Sequence, residues 1–533
     1  MAALDYELGY LLEPAARAGV PAATGDEPPL ARFWRFARCQ ALDATAAQAW
    51  LAAELAGLDA DARRAGVGGL TPGLDQAGYE AAVRRIQAYI AAGDCYQVNF
   101  TFPQRFTWFG HPLALYAGLR EQQPVRYGGI VAAGGGAIVS LSPELFLERR
   151  GTRLTTRPMK GTAPREAAAE TLLHSEKDRA ENLMIVDLLR NDLGRVAAPG
   201  GVRVDSLFEI EDYPTVRQMV SQVSAEVGDR PVGEILAALF PCGSITGAPK
   251  IRAMQIAGQL EGRPRGLYTG ALGWIAPGGD LRLSVAIRTL ELAADRSGIM
   301  GVGSGVVADS SPPAEWRECA LKAAFLADLD PGLQLIETLR CEDGVYPRLD
   351  RHLARLETSA AWFGFAFDRA AIGAALAGAG QGGSRRVRLS LDKGGRVEVT
   401  STPLDSPAAG ERLARWAVER IDANDPRRRH KTTARGAYDR ALAGIADDPR
   451  CFDVVFLNHR GEVAEGARSN VFVERDGVLV TPPVASGALP GVLRAELLAA
   501  GLAREAQLLP VDLEAGFFLG NALRGLIPVR LAQ

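Results

Sequence analysis

A turn-forming run, Asp328-Leu329-Asp330-Pro331-Gly332, breaks the 533-residue chain, and the alternation of strands and helices starts afresh beyond it. A chain of this length exceeds what one hydrophobic core ordinarily organises, so the break predicts two domains, 1–327 and 333–533, with 328–332 as linker. Ahead of the first regular pattern, residues 1 to about 70 are rich in Ala and Pro and do not make a complete domain. Strand-like pieces are expected there at 6–12 and 33–40. The spacing of Tyr79, Val83, Ile86 and Ile90 then predicts a helix ending at Gly93, followed by a strand over 95–106. After the break, strands are expected at 333–341, 386–391, 397–400, 454–458 and 471–474, and helices at 349–363, 437–446 and 494–500. The fold class is therefore mixed, α/β and α+β.

Composition narrows the partners. A net charge of -3 gives no general field for nucleic acid, so any anion must be held by local basic pockets. Six cysteines (Cys39, Cys95, Cys242, Cys319, Cys341, Cys451) show no C-x-x-C spacing, which argues against a zinc ribbon or a disulfide framework. No apolar run reaches transmembrane length, and Met1 to Glu7 lacks the features of a signal peptide, so a cytoplasmic protein with no membrane partner is expected.

Two lysines stand in separate chemical contexts: Lys160 in Arg157-Pro158-Met159-Lys160-Gly161-Thr162 and Lys431 in His430-Lys431-Thr432-Thr433. An amine becomes a nucleophile or base where burial or a cationic neighbour lowers its pKa, so the pair points to two consecutive reactions in one chain. Around the first lysine, residues 177–192 read as a helix that puts Asp178 and Glu181 on one face. Glu315 and Glu318 repeat that spacing after Pro312-Pro313, with Lys322 one turn on. Either acidic pair alone would ordinarily be solvated surface, but two converging pairs would make an oxygen-rich Mg²⁺ site. Glycine-rich stretches supply the context: Cys242-Gly243-Ser244-Ile245-Thr246-Gly247-Ala248-Pro249-Lys250, Tyr268-Thr269-Gly270, and Gly301-Val302-Gly303-Ser304-Gly305. There the backbone can approach a carboxylate, and Arg288 in Ile287-Arg288-Thr289 can clamp one.

These motifs, with Gly93-Asp94-Cys95-Tyr96-Gln97-Val98-Asn99 and Ser142-Pro143-Glu144, make residues 74–327 resemble the chorismate-utilising enzymes. The resemblance implies an α/β sandwich and chorismate as substrate. It assigns Mg²⁺ to Glu181, Glu315, Glu318 and, less securely, Asp178, and substrate binding to Ser244, Tyr268, Arg288, Gly303, Gly305 and Lys322. Lysine at position 160 is the mark of the branch that forms aminodeoxychorismate; the anthranilate-forming branch carries a small residue there. An amine at this point can add at C2 of chorismate and expel the 4-hydroxyl, opening C4 to ammonia. Two departures stand out. Gln218 occupies a position where many relatives place histidine, so the acid that assists the leaving hydroxyl must come from elsewhere. Tyr6-Glu7-Leu8-Gly9-Tyr10 resembles a segment that normally follows several strands, which leaves the first domain incomplete at its start.

In the second part, Lys431, Glu465 in Ala464-Glu465-Gly466, and Leu489-Pro490-Gly491-Val492-Leu493-Arg494 are separated as expected when strands and turns each supply one contact to a cofactor: a lysine can form a Schiff base, a carboxylate can keep a pyridine nitrogen protonated, and a turn opening a helix can bind phosphate. Residues 333–533 are similar to the class IV, branched-chain-aminotransferase-like pyridoxal phosphate enzymes. That likeness implies Lys431 and Thr338 as catalytic, and Arg348, Glu465, Val492, Leu493 and Asn521 as cofactor-binding. It also implies a homodimer through this domain. Neither half has a glutaminase-type cysteine motif, so a separate glutaminase subunit is the expected ammonia source. The fusion itself favours a lyase that consumes the first product, giving 4-aminobenzoate and pyruvate. A fused D-amino-acid or branched-chain transaminase, or a degenerate chorismate-binding scaffold, are the alternatives.

Overall fold

The computed structural model describes residues 1–18, 29–213, 216–380, 382–405 and 411–532. It divides into two compact units: Met1–Ala53, Thr71–Phe106 and Leu115–Leu329 form the first, and Glu54–Leu70, Thr107–Ala114 and Asp330–Gln533 the second. Two short early segments thus belong with the later part of the chain.

The first unit is built on two sheets. One runs in the order Val202–Asp212, Val216–Glu226, Arg153–Arg157, Leu145–Arg150, Leu281–Val285, Ala271–Ile275, Ala2–Leu4, Ala31–Phe33, with Met159–Pro164 also paired to Val216–Glu226. The other runs Gly247–Ala248, Gln97–Phe109, Ser297–Val306, Thr289–Leu292, Gly136–Ser140, Gly129–Ala133. Helix Glu176–Gly194 lies on the first sheet because Ile185, Val186, Leu189 and Leu193 recur at helical spacing and bury with Phe146, Leu154 and Val223. Ser175 caps it, its Oγ accepting from the Asp178 N–H at 3.2 Å. That cap sets the first turn against strand Met159–Pro164, where a methyl group at Gly161 would lie 3.0 Å from Asp178 Cβ. Helix Gln76–Ala91 buries Tyr79, Val83 and Ile86 at the expected spacing, and the following strand is Gln97–Phe109.

The N-terminal expectation needs correction. Residues 6–12 are not a strand: pairing stops at Leu4, and Leu8–Leu12 is a short helix. The Glu7 carboxylate accepts from the backbone N–H of Arg265 and Gly266, and Tyr6 meets Tyr10 edge-on at 5.8 Å, an i,i+4 contact that suits a helix. The second piece is only Ala31–Phe33; beyond it Phe36 is exposed and finds no strand partner.

In the second unit a three-stranded antiparallel sheet, Leu335–Glu342, Ser384–Leu391, Val397–Pro403, packs with helix Leu349–Phe363, whose Leu353, Leu356, Ala360 and Phe363 are buried. An eight-stranded sheet carries Cys451–Leu457, Val463–Gly466 and Asn470–Arg475. The late helices are Gly436–Ala443 and Val492–Ala499, close to the expected spans. The early segments are stitched in by polar contacts: Asp61 Oδ2 accepts from the Gly436 N–H at 2.7 Å, Arg64 Nη1 donates to Thr433 O at 2.8 Å, and Arg427 Nη1 donates to Asp61 O at 2.6 Å.

Candidate functional site

In the first unit, strand Ser297–Val306 presents Gly301, Gly303 and Gly305 on one face, and large groups lean into the space they leave. A methyl group at Gly301 would meet the Tyr268 ring at 2.0 Å; one at Gly305 would sit 2.2 Å from Gln97 Nε2 and 3.8 Å from Lys160 Nζ. Glycine at 305 therefore makes room for the Gln97 amide, and Lys160 Nζ reaches the same point of the strand at ordinary contact distance. Two carboxylates face the lysine. Glu144, 5% exposed, is pushed up to about 7 by burial, against the hydrogen bond from Ser244 and the charge of Lys160. The Ser244 hydroxyl donates to Glu144 Oε1 at 2.6 Å. Glu181 is raised by burial and by the charges of Asp178 and Glu318, with Lys160 and Lys177 opposing.

Of the expected metal ligands, Asp178 and Glu318 are each near enough to Glu181 for their charges to push it up. Glu318 is engaged by Lys322 at 2.6 Å, and Glu315 accepts from Ser310 Oγ at 2.8 Å. Among the described residues no three acidic, histidine or cysteine side chains converge as a metal cage. The donor set is all oxygen, as Mg²⁺ requires, but Glu318 would have to exchange Lys322 for the ion. Lys322 also donates to Gly303 O at 2.9 Å. Arg288, in a left-handed backbone conformation, donates to Gln123 Oε1 at 2.8 Å. It shares a cleft with Pro143, Gln218 and Tyr213; Pro143 adjoins Glu144, and Gln218 lies opposite Thr162, two residues from Lys160. The Gln218 amide oxygen is buried without a partner there.

In the second unit, burial pushes the Lys431 amine down to about 8, with Arg435 and Arg355 lowering it further and Glu337 and Glu465 opposing. Burial raises Glu465, although its oxygens accept from Tyr438 OH and, at 2.8 Å, from the Leu489 N–H. Arg428 Nη1 in turn donates to the Tyr438 hydroxyl at 2.7 Å. Helix Val492–Ala499 has no capping side chain, so the N–H groups of its buried first residues, Val492 and Leu493, remain as donors. Arg348, at the N-cap of helix Leu349–Phe363, pairs with Glu496 on that same uncapped helix. Thr338 stands opposite Arg388 on the small sheet. Asn521 is used locally: its Nδ2 donates to Arg468 O at 3.1 Å and its Oδ1 accepts from the N–H of Leu523 and Arg524.

Residues 1–328 match the model of the chorismate binding enzyme family. The chain belongs to that family. Residues 334–532 match the class IV amino-transferase family, in agreement with the two-part fold expected from the motifs. The first part is 43% identical over 254 residues to aminodeoxychorismate synthase component 1 of Bacillus subtilis, covering 46% of this chain and 54% of that protein. It is 42% identical over 259 residues to anthranilate synthase component 1 of Thermus thermophilus, covering 46% and 55%. The chain thus spans about half the length of the curated relatives it matches. Anthranilate synthase component I from Streptococcus pneumoniae superposes with a TM-score of 0.52 at 26% identity, over 61% of this chain and 80% of that one. Among the described residues no helix is long and apolar enough to cross a membrane.

Glu144, Tyr438, Arg428, Glu337 and Arg355 were not singled out as site residues from sequence. Glu144 lies in the quoted Ser-Pro-Glu motif, but nothing in the sequence brings it to Lys160. Tyr438 follows Lys431 by two helical turns, a spacing too common to signal a role.

Proposed function

We propose that the chain makes 4-aminobenzoate from chorismate in two steps, amination at C4 followed by loss of pyruvate. The single observation that carries the reading is the setting of Lys160, on strand Met159–Pro164, beside Gly305 of the glycine strand and within electrostatic reach of Glu144 and Glu181. Overall identity does not separate aminodeoxychorismate synthases from anthranilate synthases, since both stand near the same value; the lysine supports the former.

In the first step the Lys160 amine adds to C2 of chorismate as the ring double bond shifts and the C4–O bond breaks. Glu144, a carboxyl with pKa about 7, gives its proton to the departing hydroxyl, which leaves as water. Ammonia then adds at C4, the shift reverses, and the lysine is expelled. This assigns to Glu144 the acid that Gln218 cannot supply. Ser244 orients the carboxyl, and Arg288 with the backbone of the glycine strand holds substrate carboxylates. Glu181, Glu315 and Glu318, with Asp178 nearby, are the candidate Mg²⁺ ligands; the ion would supply charge neutralisation for the ring carboxylate. Ammonia is taken from a separate glutaminase subunit, consistent with relatives named as one component of a synthase.

In the second unit Lys431, Glu465, Arg348 and the N–H groups of Val492 and Leu493 fit pyridoxal phosphate. The amine suits covalent attachment, the carboxylate a protonated pyridine nitrogen, and the uncapped helix a phosphate. The cofactor supplies an electron sink when bound. Lys431 moves protons near neutral pH, while the hydrogen bonds from Tyr438 and the Leu489 N–H favour the charged form of Glu465 against the upward push of burial. Lys431 is placed to take the proton from C4; the ring C3–O bond breaks, the ring becomes aromatic, and the departing enolpyruvate takes up a proton and is released as pyruvate.

Incubation of the purified chain with chorismate, ammonium, Mg²⁺ and pyridoxal phosphate should give 4-aminobenzoate and pyruvate in equal amounts. Anthranilate as product would overturn the first step, and aminodeoxychorismate persisting beside an active transaminase the second.

A further inference from the structure

A buried carboxylate, a buried imidazole and a partly buried guanidinium cluster near Lys431. Glu337 on strand Leu335–Glu342 is 2% exposed and accepts from Arg355 Nε at 2.8 Å and Arg355 Nη2 at 2.5 Å. The Nδ1 atom of His352 lies 2.7 Å from Glu337 Oε2. Such a cluster is a costly way to fill a core, because an apolar set of the same volume is commonly as stable or more so. Its other contacts suggest what it does. The remaining guanidinium nitrogen, Arg355 Nη1, donates to Pro490 O at 3.3 Å, at the turn that opens helix Val492–Ala499. Arg348, His352 and Arg355 occur at i, i+4 and i+7, so one helix face holds the second helix through Glu496 and the turn before it through Pro490. On the opposite side, the strand that bears Glu337 receives the lysine loop: Ile336 N–H donates to Lys431 O at 2.9 Å, and Leu335 bridges Thr432.

We infer that Arg355 and Glu337 are positioning residues that couple the phosphate-binding turn to the amine of Lys431. The inference rests on the cofactor reading above and deepens it. Lys431 faces Arg435, Arg355, Glu337 and Glu465. Arg355 and Glu337 act on it in opposite senses, so removing either charge alone should move the titration of the lysine-linked cofactor in opposite directions: up in Arg355→Gln and down in Glu337→Gln.

The test uses the full chain stripped of pyridoxal phosphate and titrated with it, following visible absorbance and borohydride reduction. The double variant Glu337→Met/Arg355→Met, which removes both charges together, should melt close to the parent yet bind pyridoxal phosphate about tenfold more weakly, because the turn and the amine are no longer held in one frame. Should that variant fail to fold, Arg355→Lys serves, since an ammonium cannot hold both Glu337 and Pro490; it too should lose affinity at little cost in melting temperature. Parental affinity in the folded variants, or equal titration in the two single variants, overturns the inference alone. No borohydride-reducible linkage in the parent overturns the cofactor reading and the inference with it.

Discussion

Ser244 Oγ and Glu144 Oε1 are 2.6 Å apart, both side chains buried, and this short contact joins two motifs a hundred residues apart in sequence. Because burial holds Glu144 near 7, its proton-bearing form declines as pH rises through that value. Ammonium-dependent chorismate consumption should therefore fall on the alkaline side of about 7 once corrected for free ammonia. Glu144→Gln should lower kcat/KM by roughly 10²–10⁴ and flatten that limb. A variant with the parental pH profile would remove Glu144 from the acid role.

Lys160→Ala should abolish amination at C4, a loss on the order of 10³ or more, while leaving chorismate affinity within a few-fold by calorimetry. The carboxylate-holding groups lie on other elements and survive the change. Substantial turnover by this variant would exclude a covalent role.

Glu181→Gln and Glu318→Gln should each raise the Mg²⁺ concentration needed for half-maximal chorismate consumption, by about tenfold. Glu176→Gln, on the exposed start of the same helix as Glu181, is the control. If all three respond alike, the carboxylates are not the metal ligands.

Tyr438→Phe removes the hydroxyl that stands between Arg428 and Glu465. Glu465 should then hold a proton more readily, and pyruvate release should slow by roughly tenfold while chorismate consumption continues. Lys431→Ala should abolish both pyruvate release and the borohydride-reducible linkage. Aminodeoxychorismate should accumulate in either variant, as chromatography of the reaction mixture would reveal.

Elements with a strong apolar period were legible in the sequence: helix Gln76–Ala91, helix Glu176–Gly194 and helix Leu349–Phe363 fall where the spacing of buried residues predicts them. Residues 6–12 were misread because tyrosines and leucines favour a strand locally, whereas the backbone N–H groups of Arg265 and Gly266, far away in sequence, fix Glu7 at a helix start. The lysines and the acidic pairs could be named from motifs. Their partners could not, because Glu144, Tyr438 and Arg355 act through contacts with residues 100, 27 and 135 positions away. The spacing of Glu318 and Lys322 was legible, but both were assigned to ligands, and the folded helix pairs them with each other at 2.6 Å.

The hydrogen bonds that tie Asp61 to Gly436 and Arg64 to Thr433 set a limit on how this chain can be taken apart. The loop from Lys431 to Tyr438 is anchored by residues encoded some 370 positions earlier, so a fragment starting at residue 333 would carry every candidate cofactor ligand yet lack part of their scaffold. Cutting the gene at the turn-rich junction would separate the motifs without separating the folding units. Engineers seeking the second activity alone would have to supply 54–70 and 107–114 in trans, or redesign the surface they cover.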